Sequence, residues 1–196
     1  MTQWVLASSS PRRQGLLKLL LADFEVIPSD LDESLHPGEN PEGSVLRLAR
    51  EKALAVQTLR PLACIVAADT VVVSEGEILG KPASPEDARR MLRKLRGRTH
   101  QVLTGVCLLH HRSLLVECSM THVTFCDFTE QEIENYLQSG EPFDKAGAYA
   151  IQGIGARFVE KIDGCHFNVV GLPISRLYQM MKRLKLEVLW RALEGV

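Results

Sequence analysis

An α/β fold is what this sequence predicts, and three observations predict it. Strand-like and helix-like segments alternate along the chain. Cys64 to Val73 is a long apolar run rich in β-branched residues, which suits a buried strand. Two segments carry the full signature of a helix start. Ser84-Pro85-Glu86-Asp87 supplies a cap, a first-position proline and early acids, and Thr129-Glu130-Gln131-Glu132 is a capping box.

The remaining elements follow in order. Trp4-Val5-Leu6 reads as a buried strand, and Leu16 to Leu20 as a helix, with Ser10 as its N-cap and Pro11 as its first residue. Phe24 to Pro28 reads as a second strand. Ser29 to Pro41 is polar and acidic with two internal turn residues, Pro37 and Gly38, and a loop of that length is often functional. From Glu42 to Leu59 the positions Val45, Leu48, Ala49, Ala53 and Val56 keep helical spacing. Ser74-Glu75-Gly76-Glu77 predicts a hairpin turn into Ile78-Leu79. Thr99 to Leu109 and Leu114 to Phe128 form a strand pair about His110 to Ser113. The helix opened by Thr129 stops at Ser139-Gly140. Arg157 to Ile162 and Phe167 to Val170 read as the last strands, and Pro173 begins a final amphipathic helix.

Composition narrows the function classes. A chain of 196 residues is expected to be a single domain over 1–196, or two closely joined lobes, and no linker-like segment divides it. A net charge of −1 with few aromatics argues against nucleic acid as a partner, so any phosphate must meet a local cluster of Lys and Arg. The five cysteines are odd in number and none forms a C-x-x-C pair, which favours a reducing, cytoplasmic setting. No apolar run is long enough to span a bilayer, so no membrane is expected.

Ala7-Ser8-Ser9-Ser10-Pro11-Arg12-Arg13 is the strongest chemical signal. Two arginines in a first helical turn oppose the helix dipole by roughly 0.3–1 kcal/mol each. They make sense where hydroxyls, free N–H groups and guanidinium forks converge on an anion. The alternative is a solvated basic turn. Asp69 lies within the apolar run from Ile65 to Val73, where an ionised carboxylate must be paired, capped or metal-bound. A metal ligand or a general base for water fits such a residue, and so does a strand-end cap.

Asp30, Asp32 and Glu33 in the long loop offer hard oxygens suited to Mg²⁺ or Mn²⁺, or are simply solvated. Arg47 and Arg50 share a helix face while Lys52 points elsewhere, and solvation is the simplest reading for each. Lys81, between Gly80 and Pro82, suits a phosphate oxygen, although the glycine spacing is not that of a Walker loop. The stretch from Phe143 to Gly153 intersperses Asp144, Lys145, Tyr149 and Gln152 among small residues, and the Gln152 amide can both donate to and accept from a base edge. Cys118, His122 and Cys126 do not form a zinc site. On one strand the two cysteines stand about 27 Å apart at ~3.4 Å per residue.

Taken together, these segments resemble the Maf family of nucleoside triphosphate pyrophosphatases. The resemblance runs in order through Ser8 to Arg13, Arg47 to Ala53, Ala68-Asp69-Thr70 and Gly80-Lys81-Pro82. It continues through Gly97 to His100, Thr104 to Val106, Asp144 to Gly153 and Val169 to Pro173. It implies an ITPase-like fold, a twisted mixed sheet flanked by helices in two lobes around a central cleft. It also implies hydrolysis of a nucleoside triphosphate to monophosphate and pyrophosphate with a divalent cation, and a homodimer.

By the same resemblance Asp69 is the general base, and Ser8, Arg13, Lys52, Lys81 and Glu33 take phosphate and metal, the metal falling to Glu33 and Asp69. Three specificity positions fall on Arg12, Thr70 and Gln152, the set of the subgroup acting on dTTP and UTP. The subgroup acting on 7-methyl-GTP has an aromatic, a glutamine and a glutamate there. Ala150 stands where many members have glycine, a departure that touches local backbone geometry only. Modified pyrimidine nucleotides as substrates, a house-cleaning role linked to cell-division arrest, and a non-catalytic nucleotide sensor acting through a partner protein are the rival readings.

Overall fold

The computed structural model describes residues 2–186. Its elements run β1 (Trp4–Leu6), α1 (Pro11–Leu17), β2 (Glu25–Val26), α2 (Pro41–Leu59), β3 (Cys64–Ser74), β4 (Glu77–Leu79) and α3 (Pro85–Leu95). Then follow β5 (Thr99–His110), β6 (Ser113–Phe125), α4 (Glu130–Gln138), β7 (Val159–Asp163), α5 (His166–Val170) and α6 (Ile174–Arg183). The seven strands form one mixed sheet in the order β2-β1-β3-β5-β6-β7, with β4 paired to β3. β1 is parallel to both β2 and β3, whereas the β3–β4 and β6–β7 pairs are antiparallel. The expected α/β fold with a mixed, helix-flanked sheet is therefore what forms.

The chain divides into two compact units. One comprises the described residues up to Asp69, Gly105–Ser119 and the described residues from Gly171 onward. The other comprises Thr70–Thr104 and Met120–Val170. Each has its own apolar core. In the first, Val5 of β1 and Ala7 just after it, Ala49, Ala53 and Val56 of α2, and Ile65 and Ala67 of β3 are buried together. In the second, Met91, Leu92 and Leu95 of α3 join Phe125, Phe128, Ile133, Tyr149 and Phe158. Phe125 meets His100 and Tyr149 edge-on, with ring centroids 4.8 and 4.7 Å away, the geometry aromatic quadrupoles favour.

Helix starts follow their caps. Ser10, Asn40, Ser84 and Thr129 each accept a backbone N–H from the first turn, and the Thr129–Glu132 box is reciprocal. Several expectations need correction: the first helix ends at Leu17, not Leu20, and β6 ends at Phe125, not Phe128. The second strand is two residues, Glu25–Val26, not five. The strand expected from Arg157 begins at Val159, after a 3₁₀ turn over Ile154–Phe158. Phe167 to Val170 is not a strand but part of helix α5. A four-residue apolar run has no period that separates strand from buried helix, and Asn168, 0% exposed, anchors the helical form through its side chain. Among the described residues no helix is long and apolar enough to cross a membrane.

Candidate active site

In the first unit, the turn after β1 builds an anion-facing group. Ser8 is buried, and its hydroxyl oxygen accepts the Ser10 N–H at 3.2 Å and the Arg13 guanidinium at 3.3 Å. Both lone pairs are thereby engaged, so what Ser8 offers a ligand is its O–H. Arg13 Nε donates to the Gly171 carbonyl at 2.9 Å, which fixes the fork. Burial pulls the Arg13 pKa down while Asp69 and Glu33 push it up, so this cation and those carboxylates share one electrostatic neighbourhood. Arg12, the next residue back, is partly buried. α1 is only seven residues long, so hydroxyl and guanidinium groups matter more here than a helix dipole.

Asp69 lies near the middle of β3 and is 7% exposed. Lys52 reaches it from α2. The Nζ is 2.6 Å from Asp69 Oδ1 and 2.6 Å from Glu33 Oε1, so one ammonium joins a carboxylate of the strand to one of the long loop. A carboxylate in an apolar strand is tolerable with such a partner. Lys52 is 4% exposed and belongs to the buried stripe of α2 with Val45, Leu48, Ala49, Ala53 and Val56. The solvated reading of Lys52 is thus corrected. Its place at helical spacing within an apolar stripe was the available signal.

The donor set fits a hard divalent cation. Two carboxylate oxygens 2.6 Å from a shared ammonium are at most about 5 Å apart. Octahedral Mg²⁺ takes one or two carboxylates at ~2.1 Å and completes its shell with phosphate and water. Among the described residues no group of three or more His, Cys, Asp or Glu is placed to hold an ion. Glu33 is half exposed and could turn toward such an ion.

The second unit carries the other candidates. Thr104 donates its single hydroxyl proton to the Asn168 carbonyl at 3.0 Å. The proton in the 2.9 Å contact between Thr70 and Thr104 therefore comes from Thr70. Lys81 is exposed and follows Gly80, whose carbonyl accepts the Gly147 N–H at 3.0 Å. Gly147 has φ +69°, and a Cβ there would press on the Val72 side chain at 3.0 Å. Glycine at 147 thus allows the close approach that ties the Asp144–Tyr149 segment to the Gly80–Lys81 turn. Gln152 is exposed in the turn that follows.

Other candidates serve structure. Arg47 pairs with Glu39 at 2.7 Å and Glu51 at 3.0 Å and donates to the Ser34 carbonyl, so it fastens the long loop to α2. Asp32 accepts the Ser34 N–H at 2.9 Å in a local turn, while Asp30 and Arg50 are exposed. Lys145 pairs with Asp144 and donates to the Glu141 carbonyl. Tyr149 bonds His100 Nε2 at 2.9 Å within the core, where burial lowers the His100 pKa to about 4. Cys118 and Cys126 each face a backbone carbonyl through sulfur.

A family model described as Maf-like protein matches residues 3–184. The dTTP/UTP pyrophosphatase of Syntrophomonas wolfei is 50% identical over 91% of this chain and 95% of its own. That of a Geobacillus strain is 51% identical over 94% of this chain and 99% of its own. Among solved structures, the Staphylococcus aureus Ham1 protein superposes with a TM-score of 0.51 over 93% of this chain and 100% of that one. At 15% identity it speaks to fold alone.

Proposed function

The chain belongs to the Maf family, and from that premise we propose that it hydrolyses dTTP and UTP to the nucleoside monophosphate and pyrophosphate. The relatives named as dTTP/UTP pyrophosphatases are half identical to it along nearly their whole length. The observation that carries the chemistry is the buried Lys52 ammonium between Asp69 and Glu33.

In this reading Asp69 orients a water and takes its proton as the water oxygen bonds the α-phosphorus. The bond from that phosphorus to the bridging oxygen breaks, and pyrophosphate leaves with the electron pair. Ser8 donates its hydroxyl to a phosphate oxygen, and Arg13, Lys52 and Lys81 neutralise charge on the triphosphate. Glu33 and Asp69 would hold Mg²⁺ or Mn²⁺, which when bound supplies charge neutralisation at the phosphates and the leaving group. Arg12, Thr70 and Gln152 read the base. The two-way amide of Gln152 matches the N–H and carbonyl edge shared by thymine and uracil. The homodimer, the cytoplasmic setting and the turnover of modified pyrimidines are parts of the same reading that rest on resemblance.

The test is product analysis of the purified protein with Mg²⁺ or Mn²⁺ against a panel of triphosphates that includes 7-methyl-GTP. Monophosphate and pyrophosphate released fastest from dTTP and UTP, and lost on chelation, is the expected outcome. Faster turnover of 7-methyl-GTP would overturn the base assignment. Binding without hydrolysis in the presence of metal would favour a nucleotide sensor.

A further inference from the structure

The turn that carries Gln152 is held by two side chains outside the proposed reacting centre. Tyr136 of α4 is 2% exposed, and its hydroxyl donates to Glu141 Oε1 at 2.8 Å and accepts the Ala150 N–H at 3.2 Å. The Glu141 carboxylate accepts two further bonds, from the Ile154 N–H at 2.8 Å and the Gly155 N–H at 2.9 Å. One phenol and one carboxylate thus pin the backbone at positions 150, 154 and 155, and Gln152 lies between the pins.

Steric fit adds to the bonding. A Cβ on Gly153 would fall 2.0 Å from Glu141 Oε2, and one on Gly155 would fall 2.6 Å from the Tyr136 hydroxyl. At Gly155 the Ala150 carbonyl oxygen also lies 2.9 Å from that position, so backbone closes the space, whereas a side chain at 153 would displace the Glu141 carboxylate from its bonds. Burial pushes the Glu141 pKa up, but bonds from Gly155, Ile154 and Tyr136 outweigh it and leave the group below its ordinary value. The carboxylate therefore stays ionised and acceptor-only at neutral pH. Burial and the bond to Glu141 both push the Tyr136 hydroxyl up, so it keeps the proton it donates.

We propose that Tyr136 and Glu141 are positioning residues for base recognition, fixing the 150–155 turn so that the Gln152 amide meets the pyrimidine edge in one orientation. This rests on the assignment of Gln152 to the base. A side chain on an exposed turn discriminates only if its backbone is held, because a mobile amide adapts to a wrong edge. Charge-assisted bonds to backbone N–H groups are the strong kind, and here three donors converge on one carboxylate.

The experiment uses the full chain as Tyr136→Phe, Glu141→Gln and Gln152→Ala. It measures kcat and KM for dTTP and dCTP, together with hydrogen exchange at the Ile154 and Gly155 amides. Expected for Glu141→Gln are faster exchange at both amides, a KM for dTTP raised about tenfold, kcat at saturation little changed, and preference over dCTP lowered. Tyr136→Phe keeps the ring in the core and is expected to show a smaller change of the same kind, which also covers a failure of Glu141→Gln to fold. Unchanged exchange overturns the clamp. Faster exchange with preference intact, while Gln152→Ala loses it, overturns the positioning role. Preference indifferent to Gln152→Ala overturns the assignment of Gln152 and takes the positioning role with it, with exchange still deciding the clamp.

Discussion

At the residue scale the argument turns on Asp69 and its lysine. Asp69→Asn keeps the shape of the side chain and removes the base, so kcat is expected to fall about 10²–10⁴-fold with KM for dTTP nearly unchanged. Steady-state kinetics with a melting curve as control checks this, and near-normal kcat would remove Asp69 from the base role. Lys52→Met leaves Asp69 buried without its 2.6 Å partner, and a loss of about 3 kcal/mol in denaturant unfolding at neutral pH is expected. A loss under about 1 kcal/mol would mean that water or a turned Arg13 replaces the ammonium. Asp69 was legible in the sequence because a carboxylate in a β-branched run demands a reason. Lys52 is less so, because it follows two arginines of the same helix and only its register within the apolar stripe sets it apart. Tyr136 and Glu141 gave no sequence signal of their link, since their bonds reach 14 and 13 or 14 residues along the chain through a turn without regular period.

At the scale of elements, caps and turn residues marked most boundaries correctly, because they are local chemistry. α5 is the element whose kind they do not reveal. Its five residues adopt a helix for a tertiary reason. Asn168 donates to the Val102 carbonyl of β5 and to Thr121 of β6, both at 3.0 Å, while its own carbonyl accepts from Thr104. No local propensity announces such a bridge. Asn168→Ala removes two buried bonds and is expected to cost about 2–3 kcal/mol. It should also weaken discrimination among bases, because the carbonyl that orders the Thr104–Thr70 proton chain sits in the same short helix. Equilibrium unfolding reads the first effect and the dTTP-to-dCTP ratio of kcat/KM the second. A stability loss with an unchanged ratio would confine Asn168 to the fold.

On the scale of the whole molecule, the two compact units left no trace in composition for a plain reason. β3, β5 and β6 each contribute residues to both, so the boundaries at 69–70, 104–105 and 119–120 fall inside strands and not in linkers. Each unit nonetheless has its own core, and His100 lies in the second, 2% exposed. Burial holds its folded pKa at about 4, below the ordinary 6.5, so the unfolded chain binds a proton between these values that the native chain refuses. Stability from this group is fully present above pH 6.5, falls as pH drops toward 4, and changes no further below. The lowered carboxylates, Glu141 among them, have their window below about 4.5 and leave the upper part of this range to His100 and to His110, whose pKa burial also lowers. Unfolding free energy is therefore expected to drop by about 2 kcal/mol between pH 7 and pH 5. His100→Gln should flatten most of that slope, whatever it costs in absolute stability. Denaturant titrations of both proteins at the two pH values measure it, and an equal slope in the variant would assign the pH dependence to groups other than His100.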